Sequence, residues 1–337
     1  MIKEAISKLV SRSSLSTAEA EAAMAEIMAG GATPAQIAAF AVALRMKGET
    51  ADEVTGCARA MRAAATRITA PPGAVLDTCG TGGDASGTFN ISTAAALVAA
   101  GAGCCVAKHG NRSVSSASGS ADVLRELGVN IEAPAQAVER SLREANIGFL
   151  FAPSLHQAMK HAIGPRRELG IRTVFNILGP LTNPAGAQRQ LLGVYDAALL
   201  ELMAAVLANL GSVHCLVVHG DDGLDELTTT SASHVCELRE GRCRTWVLRP
   251  DDLGLPRARL EDLKVASPAE SAAAIRAVLA GTRGPHRDIV ALNAAAALVA
   301  GGKADALPDG LRLAQHAIDS GAAAHALERL TAITSAP

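Results

Sequence analysis

Four polar segments of this 337-residue chain carry the residue types and spacing needed to handle a polyanion. In the first, Leu76-Asp77-Thr78-Cys79-Gly80-Thr81-Gly82-Gly83-Asp84 runs on into Ser86-Gly87-Thr88-Phe89-Asn90-Ile91-Ser92-Thr93. A strand enters a glycine-rich turn, and a Ser/Thr-capped helix is expected from about Ser92. Glycines let a backbone approach a phosphate and aim its N–H groups at it. The helix N-terminus adds unpaired N–H groups and a partial positive charge. The pattern is not the dinucleotide fingerprint, which needs a further glycine three residues on. Nor is it a Walker A loop, which needs Gly-Lys-Ser/Thr. A plain structural turn is the alternative.

The second segment runs from Lys108 to Ser120 and mixes cationic, amide and hydroxyl donors with glycine. Nearly devoid of apolar residues, it is expected to lie outside the core. Its place at a strand end, where open α/β sheets bind ligands, favours a polyanion site over an ordinary solvated loop. The third, Arg166 to Pro184, reads as a helix ended by Gly179-Pro180. Its arginines suit a carboxylate, and a surface helix face is an equal alternative. The fourth, His219 to Glu226, is an acidic loop containing Asp221, Asp222, Asp225 and Glu226. Carboxylates so crowded repel unless a cation compensates, and a hard, oxygen-ligated ion such as Mg²⁺ fits better than an acidic surface turn. The EF-hand spacing is absent, as are G-x-S-x-G and H-E-x-x-H. His156 with His161, and His214 with His219, are five residues apart and off one helix face, so neither suggests a zinc pair.

The scaffold for these segments changes texture at Pro71-Pro72-Gly73. Before that break every pattern is helical. Ser16 with Glu19, Thr33 with Gln36 and Thr50 with Glu53 form capping boxes, and Pro34 suits a first helical position. After it, strands are expected at 75–78, 104–107, 147–151, 191–195 and 215–218, and helices at 92–100, 121–127 and 197–210. A hairpin is expected from 235–238 and 245–248, and a helical, Ala-rich tail from 267 to 332. This alternation predicts an α/β sheet with helices on its faces. The sequence thus divides into a small α-helical N-terminal domain, 1–70, and a larger α/β domain, 71–337.

Composition excludes several functions. The 49% apolar and 19% charged content rules out a disordered chain. With 2% aromatic residues, the core must use small side chains and close helix packing. A net charge of −2 gives no global field to draw the chain onto nucleic acid or an anionic membrane, and no base-stacking platform exists. The N-terminus lacks a signal-peptide core, and the most apolar stretch, 94–107, is too short to span a bilayer. Seven cysteines without a C-x-x-C pair fit reduced, mostly buried thiols and a cytoplasmic location.

Taken together, the segments resemble the anthranilate phosphoribosyltransferases of tryptophan biosynthesis. The matching runs are GTGGD at 80–84, NIST at 90–93, KHGNRSVSS and SGSADVLRELG within 108–128, RRELGIRTVFNILGPLTNPA at 166–185 and GLDE at 223–226. They span nearly the whole chain in the family's order; Cys79 and Gly164-Pro165 are small local variations. The resemblance implies transfer of the phosphoribosyl group of phosphoribosyl pyrophosphate (PRPP) to anthranilate, releasing pyrophosphate. It implies the nucleoside phosphorylase/phosphoribosyltransferase type of fold, with a central, mainly parallel sheet. It also implies a homodimer through the helical domain, which a segment near 166–185 would join. Carried over by residue, Gly80, Gly83, Asp84, Thr88, Asn90, Ile91, Ser92 and Thr93 would line the PRPP site. Lys108, His109, Gly110, Asn111, Arg112, Ser113, Val114, Ser115, Ser116 and Ser120 would do so too. Gly80, Asn111 and Arg166 would hold anthranilate. Ser92, Asp225 and Glu226 would serve Mg²⁺, and no residue is assigned as acid or base. A nucleoside phosphorylase and a non-catalytic nucleic-acid-binding homologue are the alternatives. The Asp225-Glu226 pair counts against the first, and the intact substrate residues and the net charge count against the second.

Overall fold

The computed structural model describes residues 1–84, 86–113 and 118–336. Four helices open the chain: α1 (Ile2–Val10), α2 (Thr17–Met28), α3 (Pro34–Lys47) and α4 (Ala51–Ala64). All three expected capping boxes form, with Ser16, Thr33 and Thr50 each accepting the amide three residues on. Glu53 does more than cap. Fully buried, it also accepts Leu15 N at 2.9 Å and Lys47 Nζ at 2.9 Å, tying α4 to α3 and to the link before α2. The α2–α4 contact needs Gly56, because a Cβ there would stand 2.2 Å from the Thr17 carbonyl oxygen.

The α/β part follows as β1 (Val75–Gly80), α5 (Ile91–Gly101), β2 (Cys105–Gly110), α6 (Ser120–Glu126), α7 (Ala135–Glu144) and β3 (Ile147–Phe151). The mid-chain segment contributes α8 (Ala152–Leu155), α9 (Lys160–Leu169) and α10 (Phe175–Leu178). Then come β4 (Arg189–Gly193), α11 (Leu200–Asn209), β5 (His214–Gly220), β6 (Ser233–Arg239) and β7 (Arg242–Leu248). The tail is α12 (Pro268–Leu279), α13 (Pro285–Ala300), α14 (Leu307–Asp319) and α15 (Ala322–Ser335). The seven strands form one sheet in the order β3-β2-β1-β4-β5-β6-β7. The first five are parallel, and β6 and β7 add as an antiparallel hairpin. Strand order reverses between β1 and β4, and a crevice at the carboxyl ends of strands opens at such a switch point.

The layers share the work of burial. One sheet face packs under α5 and α12–α15, where close approach depends on small residues. A Cβ on Gly310 would lie 2.6 Å from the Ala295 carbonyl oxygen, and one on Gly101 2.6 Å from Ala323 N. The other face shares a core with the N-terminal helices, α10 and α11. Helix α9 packs on α2 and α3.

Three expectations change. Strands β1 and β2 run two and three residues past their predicted ends, because the parallel ladder continues to Gly80↔Gly193 and Gly110↔Phe151. Lys108 and His109 are therefore strand residues and are buried, although their segment reads as polar loop. The Arg166 helix does not reach Gly179-Pro180. It ends at Gly170, whose φ of +60° gives a left-handed cap, and the chain restarts as α10. Helix α5 begins at Ile91 behind Asn90, and the Asn90 side chain does not cap it.

Candidate active site

Strand β1 delivers the glycine turn to the switch point, and four anchors fix it. Thr81 N donates to the Gly193 carbonyl at 2.9 Å, and Tyr195 N donates back to Thr81 Oγ1 at 3.1 Å. Gly82 N donates to Asp225 Oδ2 at 2.8 Å. The Arg172 guanidinium donates to the Gly83 carbonyl. The glycines serve different ends. Gly82 and Gly83 take φ of +68° and +79°, which side chains resist. Gly80 is bare because a Cβ would meet Asp225 Oδ2 at 2.2 Å. Gly193, its partner on β4, would place a Cβ 1.5 Å from the Asp225 carbonyl oxygen. Asp225 thus lies in a slot between two strand-end glycines, and sequence reasoning missed Gly193 because its role exists only across the sheet.

Glu226 accepts Ser92 N at 3.0 Å in the first turn of α5. Burial, and then the Asp84 carboxyl, push Asp225 up to about 7. Burial, and then Asp225, push Glu226 up to about 8. The other two acids of that loop turn away: Asp221 pairs with His234 at 2.8 Å, and Asp222 accepts Thr228 Oγ1 at 2.6 Å. The cluster expected from sequence therefore resolves into two structural carboxylates and two that face the turn. Lys108, 2% exposed, crosses from β2 and donates to the Thr78 carbonyl at 2.5 Å and Ser92 Oγ at 3.3 Å. Its charge balances the acidic pair, while burial pulls its pKa down. The available donors are carboxylate and hydroxyl oxygens, a set that suits a hard cation. Among the described residues no group of three His, Cys, Asp or Glu could hold an ion alone. A cation here would complete its shell from a ligand's oxygens, as Mg²⁺ does with phosphates.

The adjoining loops are braced from distant elements. Thr88 bridges Lys264, and Phe89 N donates to the Leu263 carbonyl at 3.0 Å. Asn90 Oδ1 accepts Ser118 Oγ and Ser271 Oγ, each at 2.8 Å, and Asn90 N donates to Ser271 Oγ at 3.0 Å. Ile91 and Thr93 are buried in α5. Gly110 gives way to Ser120, whose Oγ would be 2.1 Å from a Cβ there. Ser120 Oγ donates to the Asn111 carbonyl at 3.3 Å, and Ser113 N donates to Asp122 Oδ2 at 3.0 Å. Arg112 turns to Glu132 at 3.1 Å on the surface. Val114, Ser115 and Ser116 lie outside the described residues.

The mid-chain segment closes the far wall. Asn183 Nδ2 donates to Asp77 Oδ2 at 2.7 Å, and Asp77 accepts His109 N at 3.1 Å, which fixes the ends of β1 and β2. His109 Nδ1 lies 3.2 Å from the Gly179 carbonyl, and its ring centroid is 5.0 Å from that of His156. Burial holds both imidazoles neutral, pulled down to about 3 and about 4, and the Nε2 of each is buried without a partner among the described residues. His156 is a residue that sequence spacing dismissed. Arg166 stands 5.5 Å over the Phe175 ring with no ion-pair partner among the described residues, and burial lowers its pKa. No hydrogen bond joins it to Asn111 or Gly80 among the described residues.

Comparison with known proteins agrees with this architecture. Residues 3–65 match the helical bundle domain of the glycosyl transferase family, and residues 72–324 match its a/b domain. Fold and site thus define a two-part glycosyl transferase. Over 332 residues the chain is 59% identical to the anthranilate phosphoribosyltransferase of Moorella thermoacetica, covering 98% of each. The crystal structure of the anthranilate phosphoribosyltransferase from Thermus thermophilus superposes with a TM-score of 0.94 at 46% identity, covering 98% of this chain and 99% of that one. That from Saccharomyces cerevisiae, in complex with PRPP and Mg, gives 0.90 at 29% identity, covering 99% and 98%. The chain belongs to the anthranilate phosphoribosyltransferase family.

Proposed function

We propose that this chain transfers the phosphoribosyl group of PRPP to the amine of anthranilate, giving N-(5-phosphoribosyl)-anthranilate and pyrophosphate in L-tryptophan biosynthesis. The observation that carries the reading is the buried Asp225–Glu226 pair, fixed on the amides of Gly82 and Ser92 at the switch point. The amine nitrogen bonds to the ribose C1 as the C1–O bond breaks, the electron pair leaves with pyrophosphate, and the nitrogen sheds one proton to water or the released pyrophosphate. Ser92, Asp225 and Glu226 would hold Mg²⁺, which when bound would supply charge neutralisation of that leaving group.

The chain's own residues position and exclude. Gly80, Gly83, Asp84 and Thr88, the 90–93 turn, residues 108–116 and Ser120 hold PRPP. Lys108 brings an amino group, held by the Thr78 carbonyl, to the floor of the site. Arg166, Asn111 and Gly80 hold anthranilate, with the Arg166 fork suited to its carboxylate. His109 and His156, kept neutral, set no positive charge against an oxocarbenium-like ribose. The amine is uncharged, so no side chain is assigned as its base, and catalysis rests on positioning and leaving-group stabilisation.

Residues 1–70 with the 166–185 segment form the helical domain in this reading, and the rest of 71–337 forms the α/β domain. Phe175, Ile177 and Leu178 share a core with Phe40 and Leu44, which supports it. A homodimer through the helical domain is supported by exposed Val10, Met46 and Ile163 on that layer. A cytoplasmic location is supported by seven cysteines without disulfides and by soluble substrates. The direct test is anthranilate fluorescence with PRPP and Mg²⁺. The expected result is a fluorescence change that requires all three components and the protein; no change would overturn the reading.

A further inference from the structure

We propose that Arg172 is a positioning residue: its guanidinium holds the Gly83–Asp84 peptide in the one orientation that donates to PRPP, and couples that orientation to the helical layer. The inference rests on the phosphoribosyl-transfer reading above. Arg172 lies on the short link between α9 and α10. It donates to the Gly83 carbonyl, and its guanidinium carbon stands 4.0 Å over the Tyr195 ring. A Cβ on Gly83 would lie 3.3 Å from Nη2, so the guanidinium covers the α-carbon that glycine leaves bare. Tyr195, the platform, is itself tied to the turn through Thr81. Among the described residues no carboxylate stands within ion-pair distance of Arg172, although Glu49 lines the same cleft.

The consequence follows from peptide geometry. In a trans peptide the carbonyl and the next N–H point in opposite directions. With the Gly83 carbonyl held on Arg172, the Asp84 N–H is aimed away from Arg172, and it has no acceptor among the described residues. Glycine at 82 and 83 lets this peptide flip when nothing holds it. A flipped peptide would present a carbonyl oxygen to an anionic substrate instead of a donor. Arg172 is therefore not a bare charge that attracts the polyanion; it selects between two faces of one peptide. Its root reports on the helical layer. Thr173 N donates to Asn176 Oδ1 at 3.0 Å, and Val174 is buried in the core shared with Ile37, Phe40 and Leu44. Arg45 and Glu49, from the end of α3 and just beyond it, line the same narrow cleft as Arg172 and Tyr195.

The test compares wild type with Arg172→Ala, Arg172→Lys, Tyr195→Phe and Tyr195→Ala in steady-state turnover and in backbone hydrogen exchange. Arg172→Ala should raise the KM for PRPP on the order of 10- to 100-fold, leave that for anthranilate within about twofold, and leave Tm nearly unchanged. Arg172→Lys should fail to restore it, because an ammonium cannot both stack on Tyr195 and hold the carbonyl in a planar fork. Tyr195→Phe should behave as wild type and Tyr195→Ala as Arg172→Ala. Exchange at Gly82, whose amide is held by Asp225, should quicken in Arg172→Ala while 75–79 stays protected. Full rescue by Lys, equal rises in both KM values, or unchanged exchange at Gly82 would each overturn the inference. A wild type that turns over neither substrate would overturn the functional reading instead, and the exchange result would still decide the role of Arg172 in the turn.

Discussion

Glu226 accepts the backbone amide of Ser92 at 3.0 Å across 134 residues of sequence. Ser92 lies in the first turn of α5, so a donor that a bare reading of the helix offers to phosphate already has a protein acceptor. A helix N-terminus favours any anion, and here it favours a carboxylate. The acidic pair is thereby fixed beside the turn by the same backbone amides that mark the site.

This arrangement separates charge from geometry at Glu226. Glu226→Gln keeps an oxygen for Ser92 N and cannot ionise to meet a cation. Turnover should fall on the order of 10²- to 10³-fold, the usual effect of losing a preorganised electrostatic group. Tm should hold, since the neutral amide keeps the hydrogen bond to Ser92 N in the same buried place. Turnover and thermal melting on the same preparation check both halves, and a large fall in Tm would make Glu226 structural.

The glycines around Asp225 should respond unequally. Gly193→Ala drives a Cβ into backbone at 1.5 Å, so the loop or the strand must move. Its stability cost is expected at about 1–3 kcal/mol or more. Gly80→Ala meets only the end of the Asp225 side chain, so it should displace that carboxylate, costing more activity than stability. Gly82→Ala has open space but a φ of +68°, and should cost roughly 1–2 kcal/mol from backbone strain alone. Urea unfolding of the three variants gives the order.

His156 should make stability pH-dependent. Its folded pKa is depressed to about 4 from an ordinary 6.5 by burial. Between those values the unfolded chain binds a proton that the folded chain refuses, so this contribution is complete above pH 6.5 and is lost as pH falls toward 4. The slope approaches about 1.4 kcal/mol per pH unit for one such site. Asp225 and Glu226, raised by burial, act in the opposite sense, so the comparison is with His156→Phe at each pH. The variant should lose less stability than wild type from pH 6.5 to 4, measured by urea midpoints; parallel curves would show that His156 titrates normally.

Local signals were the legible ones. The capping boxes at Ser16, Thr33 and Thr50 and the strand at 147–151 depend on neighbours within a few residues, and each stands where expected. The glycine turn was legible because its residue types are rare together. Strand ends at Gly80 and Gly110 were not, since polar residues continue the ladder only because their partners Gly193 and Phe151 are in register. Gly193, His156 and Ser271 act through contacts across the fold, and nothing in their flanking sequence marks them, while Arg172 stood in a marked segment without its role being legible.

Ser271 illustrates such a contact. Fully buried on α12, it exchanges two hydrogen bonds with Asn90, at 3.0 and 2.8 Å. Ser271→Ala strands the half-buried Asn90 amide, at a cost of up to about 1–3 kcal/mol, the range for a fully buried unpaired group. The melting temperature should drop and the KM for PRPP should rise together, with Ser271→Thr recovering both in part if its methyl group is accommodated. Differential scanning calorimetry beside PRPP kinetics checks the pairing.

Arg166 gives the sharpest division between the two substrates. Its guanidinium rests over Phe175 and is unmatched by any carboxylate among the described residues, although burial disfavours its charge. A partly buried cation without a protein partner is a cost that a ligand's carboxylate can offset. Arg166→Ala should therefore weaken anthranilate by roughly 10- to 150-fold, the worth of one charge-assisted hydrogen bond. The KM for PRPP should move little, and Tm should not fall, because an uncompensated charge has been removed. Arg166→Lys should recover only part of the loss, since an ammonium cannot form the paired bonds of the planar fork. Titration of each substrate at saturating levels of the other decides it: a change confined to PRPP would place Arg166 at the other end of the site.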